Sequence, residues 1–250
     1  MIHSFLLIGQ SNMAGRGNPA EVELVSDKRI RIMRNGRWQS MFRPINPDRS
    51  FSGVNLAEKF AQRYAETYDV SVGLVCCADG GTKLSQWQPG SLLFDNAVNN
   101  ARLAQRTSTI AGVLWHQGES DCHEHLYGSY KESLGVIMEA FRKELDLYDV
   151  PFLLGGLGDF LPFCEKFSEV KNYRKINEAL ASFAKENKGY GFVSAEGLTA
   201  NPDQLHFNAP SLYEFGERYF AEFQKLRDPN KVFEEKCHPD DAIRSSMEAL

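Results

Sequence analysis

An α/β fold, built as a three-layer α/β/α sandwich on a five-stranded parallel sheet of flavodoxin-like order, is what this sequence predicts. Three observations carry the prediction. Short apolar runs alternate five times with amphipathic helical stretches. The runs are continuously apolar rather than alternating, which is how strands covered on both faces read. Right-handed crossovers then leave few other topologies. The 250 residues and 42% hydrophobic content suit one domain with a core large enough to need no staple. That domain is expected over residues 1–226, with a polar tail at 227–250 either docked on it or loosely ordered.

The first strand is Ile2 to Ile8, its apolar run Phe5-Leu6-Leu7-Ile8 reaching Gly9, which can turn sharply because it lacks a Cβ. Arg29-Ile30-Arg31-Ile32-Met33, the turn Asn35-Gly36 and Arg37-Trp38-Gln39 predict a small exposed hairpin inserted on the main sheet. Pro44, Pro47 and Asp48 mark a loop. Gly53 to Tyr68 carries Leu56, Phe60 and Tyr64 at helical spacing.

The second strand is Val72 to Ala78, followed by Asp79-Gly80-Gly81-Thr82 and a helix from Ser91 to Gln105. The third is Ile110 to Trp115, followed by His116-Gln117-Gly118-Glu119 and a helical stretch from Tyr127 to Leu147. The fourth is Val150 to Gly155, then a helix from Glu169 to Asn187. The fifth, Tyr190 to Ser194, leads to Asp203-Gln204-Leu205-His206 and a last helix from Ala209 to about Lys225.

Composition excludes several classes. The net charge is −5 with no basic block, so nucleic acid is not an expected partner. No stretch is long and apolar enough to span a bilayer, and no secretory leader is apparent, so the expectation is a cytoplasmic protein without a membrane partner. Five cysteines without CxxC spacing (Cys76, Cys77, Cys122, Cys164, Cys237) fit a reducing compartment better than a disulfide framework. Oligomeric state is not readable.

Every polar block follows a strand, and ligands bind at the carboxyl ends of strands in open parallel sheets. Ser11, at the hand-over from the first strand to a helix, sits beside backbone N–H groups that favour developing negative charge. Most serines there are only N-caps. Asp203-x-x-His206 can place a carboxylate on Nδ1 of the imidazole, leaving Nε2 to take a proton from Ser11. Taken alone, that spacing is more often a surface pair. Gly81, through its N–H, and Gln117, through its side-chain amide, are candidate oxyanion donors together with the Ser11 N–H.

The blocks Gly9-Gln10-Ser11-Asn12-Met13-x-Gly15, Gly80-Gly81-Thr82-x-Leu84-x-x-Trp87, Trp115-His116-Gln117-Gly118-Glu119-Ser120-Asp121 and Asp203-x-x-His206-Phe207 resemble the sialate O-acetylesterase and acetylxylan esterase branch of the SGNH hydrolases, from about residue 2 to 224. The resemblance implies a serine esterase that removes O-acetyl groups from carbohydrate without a metal or other cofactor. It implies Ser11 as nucleophile, His206 as base, Asp203 as orienter, and Ser11, Gly81 and Gln117 at the oxyanion positions. Gln10, Trp87 and Glu119 are the expected substrate contacts, with Trp87 as the aromatic platform among Trp38, Phe51, Phe160 and Phe163. Glu119 is also weighed as a structural carboxylate or as one that tunes His206. Acetylated xylo-oligosaccharide is the first expected substrate, acetylated sialic acid the second. Two further readings stand beside this one. One is a metallohydrolase using the cluster His116, Glu119, Asp121, Cys122, His123 and His125. The other is a carbohydrate-binding protein without catalysis.

Overall fold

The computed structural model describes residues 1–233. The expected tail thus lies partly inside and partly, at 234–250 with Cys237, outside the described residues. Among the described residues seven strands form one sheet: β1 (Ile2–Gly9), β2 (Ile30–Arg34), β3 (Arg37–Ser40), β4 (Ser71–Cys76), β5 (Thr109–His116), β6 (Phe152–Gly155) and β7 (Tyr190–Val193). Their order is β3-β2-β4-β1-β5-β6-β7. The five expected strands, β1, β4, β5, β6 and β7, pair in parallel in flavodoxin-like order.

The sheet is therefore larger than expected, and mixed. The segment expected as an exposed insertion is the sheet's edge: β2 runs parallel to β4, and β3 returns antiparallel to β2. Its charged and apolar alternation reflects one buried face. Ile30, Ile32 and Trp38 are buried, and Trp38 packs over β4 so tightly that a Cβ on Gly73 would lie 2.5 Å from its ring. The Trp38 Nε1–H donates to Thr107 Oγ1 at 3.0 Å.

Among the described residues there are seven helices: α1 (Ser11–Ala14), α2 (Leu56–Tyr68), α3 (Leu92–Gln105), α4 (Glu124–Tyr127), α5 (Tyr130–Leu145), α6 (Tyr173–Glu186) and α7 (Ala209–Leu226). Helices α2 and α7 pack together on one face, where Phe5 of β1 meets Phe60, Tyr64 and Phe223. Helices α3, α5 and α6 cover the other face, with Phe94 against Phe141. Helix α2 starts where a capping box allows: Asn55 accepts from Ala57 N at 2.8 Å, and Glu58 Oε1 accepts from Asn55 N at 3.1 Å. The helix expected from Tyr127 to Leu147 is α5, which starts at Tyr130 after the separate turn α4 and ends at Leu145, and the first turn of the helix expected from Glu169 is a 3-10 segment.

Strand β1 lies between β4 and β5, so the connections leaving β1 and β5 diverge and open a crevice at the carboxyl ends of the strands. At that point Gly9 has φ +133°, and a Cβ there would sit 2.1 Å from His116 O, so only glycine lets β1 and β5 end this close together. Beyond α7, Arg227 lies over the Tyr68 ring and Phe233 against His3.

Candidate active site

Helix α1 is a single turn, so its free amides matter more than any macrodipole. Gln10 caps it, and Ser11 is its first residue. The loop after β7 brings His206 onto this turn. His206 Nε2 lies 3.0 Å from Ser11 Oγ, and its Nδ1 lies 2.6 Å from Asp203 Oδ2. The other oxygen, Asp203 Oδ1, accepts from the amides of Leu205 at 2.9 Å and His206 at 3.0 Å. Burial opposes ionisation of Asp203, but those amides and the His206 side chain outweigh it and hold the carboxyl down at about 2. The three residues that the sequence singled out thus meet, with the imidazole of His206 between the Ser11 hydroxyl and the Asp203 carboxylate.

Asn12 secures this arrangement. Its side-chain oxygen accepts from Phe207 N at 3.1 Å, and its amide nitrogen donates to Leu205 O at 3.2 Å, gripping the backbone on both sides of His206. The same nitrogen donates to Glu119 Oε1 at 2.5 Å. Glu119 is sealed from solvent, and burial pushes its carboxyl toward the neutral form. His116 and Asn12 outweigh that and keep it below the ordinary glutamate range. So Glu119 reaches His206 only through Asn12.

Among the described residues, neither the Ser11 N–H nor the Gly81 N–H is bonded to a protein acceptor. Both residues line a cavity of about 400 Å3 together with Gln10, Glu119, Leu205 and His206. Gln10 Oε1 accepts from the Gly118 and Ser120 amides at 3.3 and 3.4 Å, which ties the first block to the third.

Two expected site residues are not at the cavity. Gln117 is fully buried, and its amide N–H groups are spent on Thr82 O at 3.0 Å and Asp121 Oδ2 at 2.5 Å. It supports the Gly80–Thr82 loop from below instead of offering a donor to an oxyanion. Trp87 is likewise fully buried, edge-on to Trp115, with Nε1–H donating to Thr82 Oγ1 at 3.1 Å. The Leu84–Trp87 turn points its ring inward, which a short motif does not reveal. Trp38 and Phe160 are core residues too; Phe51 lines the cavity, and Phe163 is exposed away from it.

The metal-cluster reading does not assemble. His116 faces inward onto Glu119, while His123 faces Glu169 at 3.5 Å. Among the described residues no group of three or more His, Cys, Asp or Glu is placed to hold a metal ion.

Several cavity residues carried no expectation from the sequence. Arg16 and Arg49 line it, as do Lys83, Lys166 and Phe167. Arg16 makes a buried bidentate pair with Asp48, at 3.0 and 2.6 Å. Arg16, one residue past the first block, and Lys83, at the open position of the second, carried a positional hint.

Comparison with known proteins gives a consistent result. The family model described as "Carbohydrate esterase, sialic acid-specific acetylesterase" matches residues 1–225. A probable carbohydrate esterase from Arabidopsis thaliana is 28% identical over 236 residues, 85% of this chain and 86% of that protein. A solved structure of an Arabidopsis thaliana protein superposes with TM-score 0.76 at 25% identity, covering 88% of this chain and 98% of the other. NanS (TM-score 0.69, 18% identity, 90% and 97% covered) shares the fold. So does a carbohydrate acetylesterase from Xanthomonas citri (TM-score 0.66, 18% identity), of which 56% is covered against 90% of this chain.

Proposed function

Because the chain belongs to the sialic acid-specific acetylesterase family of carbohydrate esterases, and so is a carboxylic ester hydrolase, we propose that it cleaves O-acetyl groups from a saccharide through an acyl-enzyme on Ser11. The observation that carries this reading is the 3.0 Å approach of His206 Nε2 to Ser11 Oγ, with Asp203 on the opposite ring nitrogen.

The Ser11 hydroxyl attacks the acetyl carbonyl carbon while His206 Nε2 takes its proton. The carbonyl oxygen becomes an oxyanion, met by the N–H groups of Ser11 and Gly81. Collapse breaks the bond between the acetyl carbon and the sugar oxygen, and His206 gives its proton to that departing oxygen, which leaves as the sugar hydroxyl. A water, deprotonated by His206, then attacks the acetyl-serine. Acetate leaves and Ser11 recovers its proton. Asp203 holds the ring in the tautomer this needs and stabilises the imidazolium. No step draws on a metal or organic cofactor. The catalytic unit is taken as residues 1–226, with 227–250 appended.

The rim charges bear on the substrate. Lys83 and Lys166 line the cavity, and neither forms an ion pair among the described residues. A neutral xylo-oligosaccharide brings no carboxylate to either ammonium, whereas an acetylated sialic acid does. The reading therefore puts the acidic sugar first. Gln10 and Glu119 remain as cavity-lining contacts, with Phe51 and Phe167 in place of Trp87 as apolar surface. Among the described residues no helix is long and apolar enough to cross a membrane. The free thiols Cys76, Cys77, Cys122 and Cys164 support a cytoplasmic setting.

Acetate release from acetylated sialic acid, acetylated xylo-oligosaccharide and p-nitrophenyl acetate tests this, comparing wild type with Ser11→Ala. Turnover that survives in Ser11→Ala, or that disappears from wild type with a chelator, overturns the mechanism. Equal kcat/KM on the neutral and acidic sugars overturns the substrate order.

A further inference from the structure

The Gly80–Gly81 peptide is held from outside the catalytic residues. Gly80 O accepts a hydrogen bond from Arg49 Nη2 at 3.0 Å, and Gly80 N–H donates to Asp48 Oδ2 at 2.9 Å. Arg49 is itself tethered. Its Nη1 donates to Asp48 O at 2.8 Å, and its Nη2 lies 2.9 Å from the Asp79 carboxylate. Asp48 is gripped in turn by Arg16 and by the Ser52 hydroxyl at 2.8 Å. Gly80 is wedged between this cluster and the nucleophile. A Cβ on it would lie 2.5 Å from Arg16 Nη2 and 3.4 Å from Ser11 Cβ.

A trans peptide is planar, so its C=O and N–H point opposite ways. Fixing the Gly80 carbonyl on Arg49 therefore fixes the direction of the Gly81 N–H. Gly81 has φ +78° and open space where a Cβ would be, so no side chain of its own resists a turn of that peptide. Turned over, the peptide would present a carbonyl oxygen where a donor is required, and that oxygen would repel a developing oxyanion.

We propose that Arg49 is a positioning residue for acyl transfer: by holding the Gly80 carbonyl it keeps the Gly81 N–H in the donor orientation, while Asp48 fixes the other side of Gly80. This rests on the reading that Gly81 N–H binds the oxyanion. Arg49 also lines the cavity, so its rival role is a direct substrate contact. The two roles separate kinetically. A positioning residue acts on the transition state alone, whereas a uniform substrate contact acts through KM.

The experiment measures kcat and KM for wild type, Arg49→Ala and Arg49→Lys on p-nitrophenyl acetate and on the acetylated sugar, with Ser11→Ala alongside. Arg49→Ala is expected to lower kcat about ten- to hundredfold, with KM changed less than about twofold, and by the same factor on both esters. Affinity for a methylphosphonate that mimics the tetrahedral adduct falls by that factor, and affinity for acetate does not. Arg49→Lys, which can still donate to Gly80 O, recovers most of kcat. The Arg49 side chain is 43% exposed, so the melting temperature should stay put. A raised KM at constant kcat, or an effect confined to the charged sugar, overturns the proposal in favour of substrate contact. Unchanged kinetics overturn it outright while Ser11→Ala is inactive. An active Ser11→Ala would instead bring down the acyl-enzyme reading itself.

Discussion

Among the described residues two histidine–carboxylate pairs stand at the same spacing of three residues, and they have opposite fates. Asp203 and His206 sit on a loop at the cavity, 2.6 Å apart, with the carboxylate side chain 48% exposed. His116 and Glu119 sit at the end of β5, 3.2 Å apart, both sealed from solvent. In the first pair the carboxylate takes Nδ1 and leaves Nε2 for Ser11. In the second the carboxylate takes Nε2, and His116 Nδ1 is buried without a partner among the described residues. Spacing alone does not make a catalytic pair. Which nitrogen is occupied, and whether the other meets a hydroxyl, decides it.

That contrast can be broken in descending order of effect. Removing the imidazole in His206→Ala is expected to cost about a millionfold in kcat, the scale seen when other serine hydrolases lose their base. Its melting temperature should stay near wild type, since the ring is at the surface of the cavity. Asp203→Asn keeps the shape but favours the wrong tautomer, and kcat should fall about 10^3- to 10^4-fold in the same assay. Glu119→Gln should behave differently. It keeps a bond to Asn12 but loses the charged one, so unfolding in urea should show about 1–3 kcal/mol lost, with kcat down about tenfold or less. Comparable kcat losses in Asp203→Asn and Glu119→Gln would erase the distinction between the two pairs.

Acid sharpens the comparison further. The folded state depresses the pKa of both carboxyls, so each favours folding above the ordinary carboxylate range of about 4 and ceases to do so as pH falls through its folded value. Asp203 is half in water, so its share is screened, and the sealed Glu119 should dominate. Urea midpoints measured across the acid range should therefore flatten more in Glu119→Gln than in Asp203→Asn. The smallest effect on turnover is expected from Trp87→Phe. It should leave kcat/KM within about a factor of two while costing about 1–3 kcal/mol of stability, because the ring is core. A large KM increase would restore Trp87 as a sugar platform.

These outcomes follow from how the chain displays its information. The convergence of Ser11, Asp203 and His206 was legible because each lies on a segment that follows a strand, and topology alone brings strand exits together. The five parallel strands were legible from their unbroken apolar runs. The hairpin edge was misjudged because Ile30, Ile32 and Trp38 alternate with charges in the same way whether the buried face covers a sheet or lies on a surface. Gln117 and Trp87 were misplaced for a related reason. A motif gives a residue's position but not its side-chain direction, and both side chains turn beneath the loop to bond Thr82. Asp48 was legible only as a loop marker and Arg49 not at all, since their partner Gly80 lies 31 or more positions away and is met only through the backbone.

The loop that carries the base also carries its acid. Asn201 N–H donates to His206 O at 2.7 Å, Ala200 bridges Phe207, and Asn201 Nδ2 reaches Arg16 O at 2.9 Å. Acid and base thus travel as one cassette. Any excursion of the loop would leave their mutual bond whole and part its outer contacts instead, those with the Ser11 hydroxyl, the Asn12 side chain and the Arg16 carbonyl, so that imidazole and carboxylate would stay aligned with each other until the cassette reseats.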